Sequence, residues 1–421
     1  MSAATVETEP DCRETPERPA SPRAAAEPSS VSERHLRAER RHLDTIPAST
    51  WDALAAATPW STPFSRWAFH RAWWDAYGDN AHEQTMVVVD ADASEGADPI
   101  AIVPFMHRHE VEPSDELTHT TIRHGSEQPL TPVPPTAKAI FFGASYHADY
   151  ATILAHPDEL PAVAEALVSC LAADTDADDD HPDPWDVVDL RRLRCGDPVT
   201  DALGVAFGER EMSEGWTLTI EREEVCPVAT LPEGVDLDGY LATLDKKGRH
   251  EIRRKVRRAE AAGEVRLDVS ADPLGDLDAF IDLHQKRWGE AGLFPHTPGG
   301  AQSRAFVRRL FELFGADGPL KLSFLTVGRR RIASGLHLET DDAFLYYNAG
   351  VDPDAQDLSP GVVLVVKYLE YAIAAGLRRF DFLRGDEPYK YGWGAVDEPI
   401  QRLLVRRAAG RARPDPQGRA S

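Results

Sequence analysis

Cysteine is scarce in this chain, and long apolar runs are missing. Only four of the 421 residues are cysteines, and none belongs to a CxxC pair: Cys12, Cys170, Cys195 and Cys226. This spacing indicates neither a zinc site nor a disulfide framework. The first residues contain no apolar stretch like that of a secretory signal, and no run is long enough to span a bilayer. We therefore expect a cytoplasmic protein with no metal and no transmembrane segment.

Basic residues are also in short supply. Lys and Arg together number 46 against 70 Asp and Glu, which gives a formal net charge of -24. Because so acidic a surface repels phosphate backbones, the net charge argues against general binding of nucleic acid, DNA included, by the whole surface. The chain does contain 42% hydrophobic residues, enough for a sizeable core, and its length suits two domains.

Composition predicts disordered tails at both ends. Residues 1–42 are rich in Glu, Pro, Ala, Ser and Arg, and residues 408–421 have a similar composition. Such segments bury too little apolar surface to offset the entropy of ordering. Between the tails, a connector at residues 227–232 predicts a boundary between one domain at 43–226 and another at 227–407.

The first of these domains mixes helices and strands and has no catalytic signature of its own. Residues 66–77 predict a helix with six aromatic or imidazole rings at helical spacing, which favours core packing over the wall of a groove. Residues 86–90 and 100–105 predict a β-hairpin. A helix at 159–172 and a strand at 185–190 follow.

A basic helix is predicted at the start of the second domain. Leu244, Ile252, Val256 and Ala259 form an apolar stripe at helical spacing. The other faces carry eight basic residues: Lys246, Lys247, Arg249, Arg253, Arg254, Lys255, Arg257 and Arg258. Two interpretations stay open, a solvated helix face or an anion site for a phosphorylated cofactor, a phosphorylated substrate or an RNA.

Residues 359–394 organise the rest of the second domain. Ser359 is placed as a helix N-cap, Pro360 as the first helical residue and Gly376 as the C-cap. Strands are predicted before this helix at 343–348 and after it at 378–383, which makes a βαβ unit. Its loop, residues 349–359, would supply free N–H groups for a phosphate at a helix N-terminus. With a hairpin at 320–327 and 332–339, the fold class is α+β with a mixed sheet.

Several motifs in this order resemble the BioF2-like acetyltransferase domain of the GNAT superfamily, which includes CelD (BcsL)-type proteins and is similar in turn to Fem-type peptidyltransferases. The most specific is residues 380–390, FDFLRGDEPYK, which resemble the F-D-F-x-R-G-x-E-x-Y-K signature. The basic helix and the Ser359-Pro360-Gly361 helix start also match. The resemblance covers most of residues 45–405 and implies two GNAT-like domains in tandem.

The resemblance implies acetyl-CoA or another acyl-CoA as cosubstrate. The chain lacks the Q/R-x-x-G-x-G/A pyrophosphate loop of ordinary GNAT enzymes, and the S-P-G helix start takes its place in the order of elements. The residues expected to bind the cofactor are Ser359, Pro360, Gly361, Val362, Arg253 and Arg254.

Direct acyl transfer needs a base, a donor for the developing oxyanion and a proton source for the thiolate, but no covalent nucleophile. The resemblance makes Lys390, in the pair Tyr389-Lys390, the first candidate for stabilising charge. Glu387 is a candidate base, or an exposed carboxylate that pairs with Lys390. Asp381 points away from its Phe neighbours and is a second candidate base, although pairing with Arg384 or the basic helix is favoured.

Four further residues are expected near the acceptor. His337 lies on a central strand, where a core position is favoured over the cleft. Tyr347 and Trp393 either line the acceptor pocket or belong to the aromatic core. Arg384 either binds an anion or braces the turn.

Three functions remain open. The leading hypothesis is an acyl-CoA-dependent acyltransferase acting on an amine or hydroxyl of a small molecule, a sugar or a polysaccharide precursor. The alternative is a Fem-like transferase that uses aminoacyl-tRNA; the absence of a long heptad segment counts against it. The third is a non-catalytic binding protein on a GNAT scaffold.

The acidic surface makes one testable prediction. If the charge of -24 is an adaptation to a high-salt cytoplasm, the protein should gain stability as KCl is added, because salt screens repulsion between carboxylates. A denaturant titration at increasing KCl measures this. Full stability without salt would contradict an adaptation to high salt.

Overall fold

The computed structural model describes residues 35–108, 130–134, 137–174 and 185–407. The expected tails at residues 1–34 and 408–421 lie outside these ranges. The expectation of disorder is wrong for the end of the first tail, since Leu36–Arg40 forms a strand beside Met86–Asp90. This strand gains backbone hydrogen bonds and an ion pair from Arg40 to Asp174, which its charged sequence does not reveal.

Fifteen strands occur in the described residues: β1 (Leu36–Arg40), β2 (Ala81–Glu83), β3 (Met86–Asp90), β4 (Ala101–Val103), β5 (Phe105–Arg108), β6 (Ala139–Phe142), β7 (Leu154–Ala155), β8 (Val187–Arg194), β9 (Thr217–Thr230), β10 (Val265–Val269), β11 (Leu320–Val327), β12 (Arg330–Glu339), β13 (Ala343–Val351), β14 (Arg379–Asp381) and β15 (Val396–Arg406).

Ten α-helices occur in the same ranges: α1 (Ala48–Ala57), α2 (Trp67–Tyr77), α3 (Leu160–Ala173), α4 (Pro198–Glu214), α5 (Leu237–Thr243), α6 (Lys246–Ala262), α7 (Pro273–Trp288), α8 (Pro298–Phe314), α9 (Pro360–Ala374) and α10 (Pro388–Tyr391). None of the helices in the described part of the chain is both long and apolar enough to pass through a bilayer.

One large mixed sheet joins the two halves of the chain. Its eleven strands follow the order β10-β11-β12-β13-β14-β9-β15-β8-β6-β5-β2, and β1, β3, β4 and β7 form a separate sheet. The last strand, β15, lies between β9 and β8 and is antiparallel to both. The α+β class with a mixed sheet is therefore confirmed.

The boundary predicted at residue 227 falls inside β9. This strand pairs with β15 over residues 217–228 and with β14 over residues 228–230. The connector predicted at residues 227–232 is thus largely strand. Pro227 has no N–H to give, but its carbonyl accepts the Phe382 N–H at 3.0 Å, so the proline is tolerated within the sheet.

The predicted βαβ unit is present as β13, α9 and β14, and the two strands are parallel. The strands pair only at Ala343–Leu345 and Arg379–Asp381 and then part. Helix α9 ends where predicted, because Gly376 adopts a φ of 77° that favours glycine and the Leu377 N–H bonds the Ala372 carbonyl.

The aromatic helix α2 is core, as expected. Phe69, Trp73 and Tyr77 are fully buried, and Phe69 packs edge-on against Phe306 of α8 at 5.3 Å between ring centroids. Since α2 belongs to the first half and α8 to the second, this apolar cluster holds the two halves together. A second cluster lies between the sheet, α6 and α9, and contains Phe380 and Phe382.

Arg402 forms a buried ion network at the centre of the large sheet. Its guanidinium binds both carboxylate oxygens of Asp189 at 2.6 and 2.7 Å and also reaches Glu221 at 2.8 Å. Burial opposes ionisation of Asp189, but the hydrogen bonds from Arg402 and Arg191 outweigh it and hold the pKa of Asp189 below its ordinary value. The network joins β15, β8 and β9.

We expect Arg402→Ala to lower the free energy of unfolding by about 3–5 kcal/mol, because Asp189 would remain buried without its counter-ion. Arg210→Ala is the control, since Arg210 pairs with Glu165 on the surface and should cost less than about 1 kcal/mol. Urea denaturation of both variants measures the difference, and equal losses would contradict a structural role for the network.

Candidate functional site

The candidate site lies where β13 and β14 part, after Leu345 and Asp381, a point that we call the fork. Because the two strands are parallel, their carboxyl ends meet at the same edge of the sheet, where ligands bind in open α/β sheets. At this edge β13 continues into the segment Pro353–Leu358 and the start of α9, and β14 continues into residues 382–385.

Ser359 stands at the N-terminus of α9, as predicted, but its side chain does not cap the helix. Its backbone is left-handed, with a φ of 54°, and its hydroxyl instead accepts a hydrogen bond from Arg258 at 2.7 Å. A Cβ added at Gly361 would meet nothing within 4 Å. The helix N-terminus therefore faces open space beside a guanidinium group, which suits an anion.

The two arginines expected to bind the cofactor are engaged elsewhere. Arg253 pairs with Asp238 of α5 at 2.7 Å, and Arg254 pairs with Glu251 on its own helix at 2.7 Å. Arg258, one helical turn beyond Arg254, is the residue that reaches the start of α9. The i,i+4 spacing from Arg254 was the available sequence signal for it.

Lys390 is buried and holds the turn after β14. Its ammonium group donates to the carbonyls of Leu383, Arg384 and Gly385 at 2.8–3.0 Å and lies 2.9 Å from a Glu387 carboxylate oxygen. Leu383 has a φ of 57°, a conformation that few non-glycine residues adopt. With its three N–H donors on carbonyls, Lys390 is placed to fix a strained turn and has no donor left for a substrate.

Asp381 points away from its Phe neighbours, as expected, but the favoured pairing with Arg384 or the basic helix is wrong. The basic helix α6 packs against α9, on the face that buries Phe380 and Phe382. Asp381 faces the other side, where it accepts the Tyr150 hydroxyl and the Leu383 N–H, both at 2.7 Å. Burial raises its pKa to about 6, and these two hydrogen bonds oppose the rise.

Arg384 braces the turn through an ion network. Its Nε lies 3.1 Å from Asp149 and 3.6 Å from Glu224, and all three side chains are largely buried. Burial raises the pKa of Glu224, although Arg384 and Arg192 oppose this. Of the two roles expected for Arg384, bracing is the one that these contacts support.

Of the other predicted acceptor residues, His337 and Trp393 lie in the interior and Tyr347 is partly buried. His337 is fully buried, with its ring stacked on Phe344 at 4.2 Å and its Nε2 2.9 Å from Glu339, so the favoured core position agrees with the structure. Trp393 packs in the cluster around α9. Tyr347 donates its hydroxyl proton to the His147 carbonyl at 3.1 Å.

Two predicted catalytic side chains remain accessible. Tyr389 is 50% exposed, and its ring lies edge-on to Phe382 at 6.2 Å between centroids. Glu387 is partly exposed beside Lys390. Sequence reasoning missed Asp149, Tyr150 and Glu224, because they come from distant parts of the chain and match no motif.

Comparisons with known proteins are consistent with this geometry. Residues 246–391 match the family model of the acetyltransferase (GNAT) domain. The fold is similar to the crystal structure of FemX, with a TM-score of 0.52 and 10% identity over 87% of this chain and 96% of that one. A conserved protein of unknown function from Bacteroides thetaiotaomicron VPI-5482 gives a TM-score of 0.50 and 13% identity over 86% and 98%. No curated protein sequence matches the chain.

The mixed sheet that joins the two halves is consistent with the two GNAT-like domains in tandem that the resemblance implied, and the family match itself covers residues 246–391. The second half carries a GNAT acetyltransferase domain, and the fork falls inside the matched residues. Because the sequence identities to these two structures are only 10% and 13%, the comparison shows a similarity of fold alone.

We expect Lys390→Met to lower the free energy of unfolding by at least about 3 kcal/mol, because three carbonyls lose their donor and each buried unpaired group costs about 1–3 kcal/mol. Lys367→Met is the matched control, since Lys367 pairs with Glu370 on the surface of α9. Urea denaturation measures both. An unchanged stability of Lys390→Met would restore the interpretation of Lys390 as a purely catalytic residue.

Proposed function

We propose that this protein is a GNAT-type acyltransferase that moves an acetyl or other acyl group from acyl-CoA to an amine or a hydroxyl. One observation carries the proposal: the fork opens at the same edge of the sheet as the N-terminus of α9, where Arg258 reaches Ser359. This arrangement lies within residues that match a GNAT acetyltransferase domain.

The start of α9 fits the phosphates of the donor. The residues proposed to face these phosphates are Ser359, Pro360, Gly361 and Val362. Pro360 has no N–H, and the N–H groups of Ser359 and Val362 bond the carbonyls of Gln356 and Ser359. The Gly361 N–H, beside open space, is the backbone donor that the described hydrogen bonds leave for a ligand. Arg258 adds a full positive charge beside it. Arg258 is therefore the residue on which anion binding at this helix start is proposed to depend most.

Bound acyl-CoA supplies an activated thioester. Side chains at the fork accept the proton that the acceptor loses and donate the proton that the thiolate gains. Glu387 is proposed to take the proton from the acceptor, because its carboxylate is partly exposed and adjacent to the turn. Tyr389, half exposed at the same turn, is proposed to return a proton to the leaving thiolate. Lys390 and Asp381 hold the backbone that carries both residues, and thus act by positioning.

The acceptor is proposed to be a small molecule or a sugar of a cell-envelope or polysaccharide precursor, as in the BioF2-like and CelD-type group that the signature at residues 380–390 resembles. Tyr347, Arg384 and the surroundings of Trp393 would shape that side of the fork. The division into domains at 43–226 and 227–407 is proposed with β15 as a strand that the second half contributes to the first.

An alternative donor is aminoacyl-tRNA, as in Fem-type transferases. The similarity of fold to FemX over 87% of this chain supports it, as does the basic helix α6. A gel-shift titration with tRNA at low salt distinguishes the two donors, because RNA binding must weaken as salt rises. A flat titration removes the alternative.

Arg258→Ala should weaken binding of CoA and acetyl-CoA about ten- to a hundredfold, since a hydrogen bond to a charged group contributes about 1.5–3 kcal/mol. A thermal-shift titration measures this, because a ligand that binds only the folded state raises the melting temperature. The same titration of Arg253→Ala and Arg254→Ala shows whether the cofactor is bound by these arginines, as expected from sequence, or by Arg258 at the start of α9.

Arg210→Ala, on α4 in the first half, is the control and should leave the shift unchanged. If no acyl-CoA raises the melting temperature of the unaltered protein at low or high salt, the acyl-CoA donor is overturned. A full shift in Arg258→Ala would overturn the assignment of Arg258 alone.

A further inference from the structure

Residues 144–150 of the first half contain three polar side chains that contact the fork region of the second half. We call these residues the docking segment. His147 and Tyr150 are buried, at 6% and 3% exposure, and Asp149 is largely buried. A loop that connects strands ordinarily lies on the surface, so the burial of polar side chains in this one requires partners.

Two of these side chains, and the backbone carbonyl of the third residue, bond to the second half. Tyr150 donates to Asp381 at 2.7 Å, and Asp149 lies 3.1 Å from the Nε of Arg384. His147 accepts the Tyr347 hydroxyl through its backbone carbonyl at 3.1 Å. All three partners are on β13 or on the chain at and after β14, the two arms of the fork.

The docking segment also makes contacts outside the fork region. The His147 Nε2 lies 2.7 Å from the Tyr77 hydroxyl, and its ring stacks on Phe306 at 4.2 Å. Ala144, at the start of the segment, has a φ of 59° that few non-glycine residues adopt. Such a conformation persists only where surrounding contacts determine it.

We propose that the docking segment is a positioning element, through which the first half sets the geometry of the transferase site in the second half. It acts through a chain of contacts from Tyr150 to Asp381, from Asp381 to the Leu383 N–H, and from the Leu383 carbonyl to Lys390. This inference rests on the proposed function. It assigns the first half a role in that reaction without a second active site.

Asp381 is the residue in this series of contacts whose ionisation depends on Tyr150. The titratable and charged groups that face it are Tyr150 from the docking segment, Cys226 from β9, Glu398 from β15 and Arg379 from its own strand, with Arg194 of β8 over the Tyr150 ring. The hydrogen bond from Tyr150 favours the ionised carboxylate, because a hydroxyl donates better to a charged acceptor.

Tyr150→Phe tests the proposal through the pH profile of acyl transfer. Without its donor, Asp381 should bind a proton more readily, so the acid limb of kcat/KM should move to higher pH by about one unit. Tyr240→Phe is the matched control: Tyr240 is buried and donates its one hydroxyl proton to the Trp393 carbonyl at 2.5 Å. Loss of packing or of stability alone would not move the acid limb of the kcat/KM profile.

An acid limb that stays in place in Tyr150→Phe, or that moves equally in Tyr240→Phe, overturns the proposal. Asp381→Asn should remove the contribution of Asp381 from the acid limb, because an amide does not titrate in this range, and should leave that of the proposed base Glu387. A limb that is unchanged in Asp381→Asn would equally overturn it, since the chain of contacts runs through that carboxylate.

A second measurement needs no substrate and separates this proposal from the proposed function. The folded-state pKa of Asp381 is raised to about 6, so its contribution to stability is present below the unfolded pKa of about 3.9 and is lost as pH rises through about 6. At pH 8, Asp381→Asn should therefore stabilise Tyr150→Phe more than it stabilises the unaltered protein.

We expect this coupling to be about fivefold or more in the unfolding equilibrium constant at pH 8 and to shrink toward pH 4. If the coupling is present but the protein neither binds nor turns over acyl-CoA, the proposed function is overturned, and the series of contacts from Tyr150 to Lys390 is still supported. If Tyr150→Phe and Asp381→Asn change the free energy of unfolding additively at pH 8, the docking segment is not a positioning element, whatever reaction the protein catalyses.

Discussion

The buried ammonium group of Lys390 is the interaction on which the architecture of the second half depends. By donating to three successive carbonyls, it holds Leu383 in a left-handed conformation and turns the chain away from β13. Because of that turn, β14 pairs with β13 over only three residues. The fork thus exists because the strand ends early, and the strand ends early because a lysine holds the turn.

The same turn directs the chain toward the first half. After α10, β15 passes between β9 and β8 and pairs with both over most of its length. The last strand of the chain is therefore an inner strand of a sheet that both halves share, with the Arg402 network at its centre. Neither half can be removed without exposing an unpaired strand, so the docking segment and the fork are held in a fixed relation.

Local features of this fold could be predicted from sequence because periodicity and caps encode them. The strands at residues 86–90 and 320–327 were placed at their observed bounds. The direction of Asp381 followed from alternation along a strand. Its partner did not, because Tyr150 is 231 residues away in the chain and no pattern links the two. Ser359 was placed correctly at the helix start, but the contact with Arg258 redirects its hydroxyl.

Ion pairing and hydrogen bonding explain why a count of charges overstates the positive potential of the basic helix. Eight cations on α6 left a solvated face and an anion site open, and several are already engaged: Arg253 by Asp238, Arg254 by Glu251 and Arg249 by the Ala242 carbonyl. Ion pairs at a surface return little free energy, yet they lower the local positive potential that a polyanion would meet. A single guanidinium at a helix N-terminus suits a small phosphorylated ligand better than an extended RNA backbone, because the latter needs many contacts in register. The geometry of α6 therefore supports the proposal of acyl-CoA rather than tRNA as the donor.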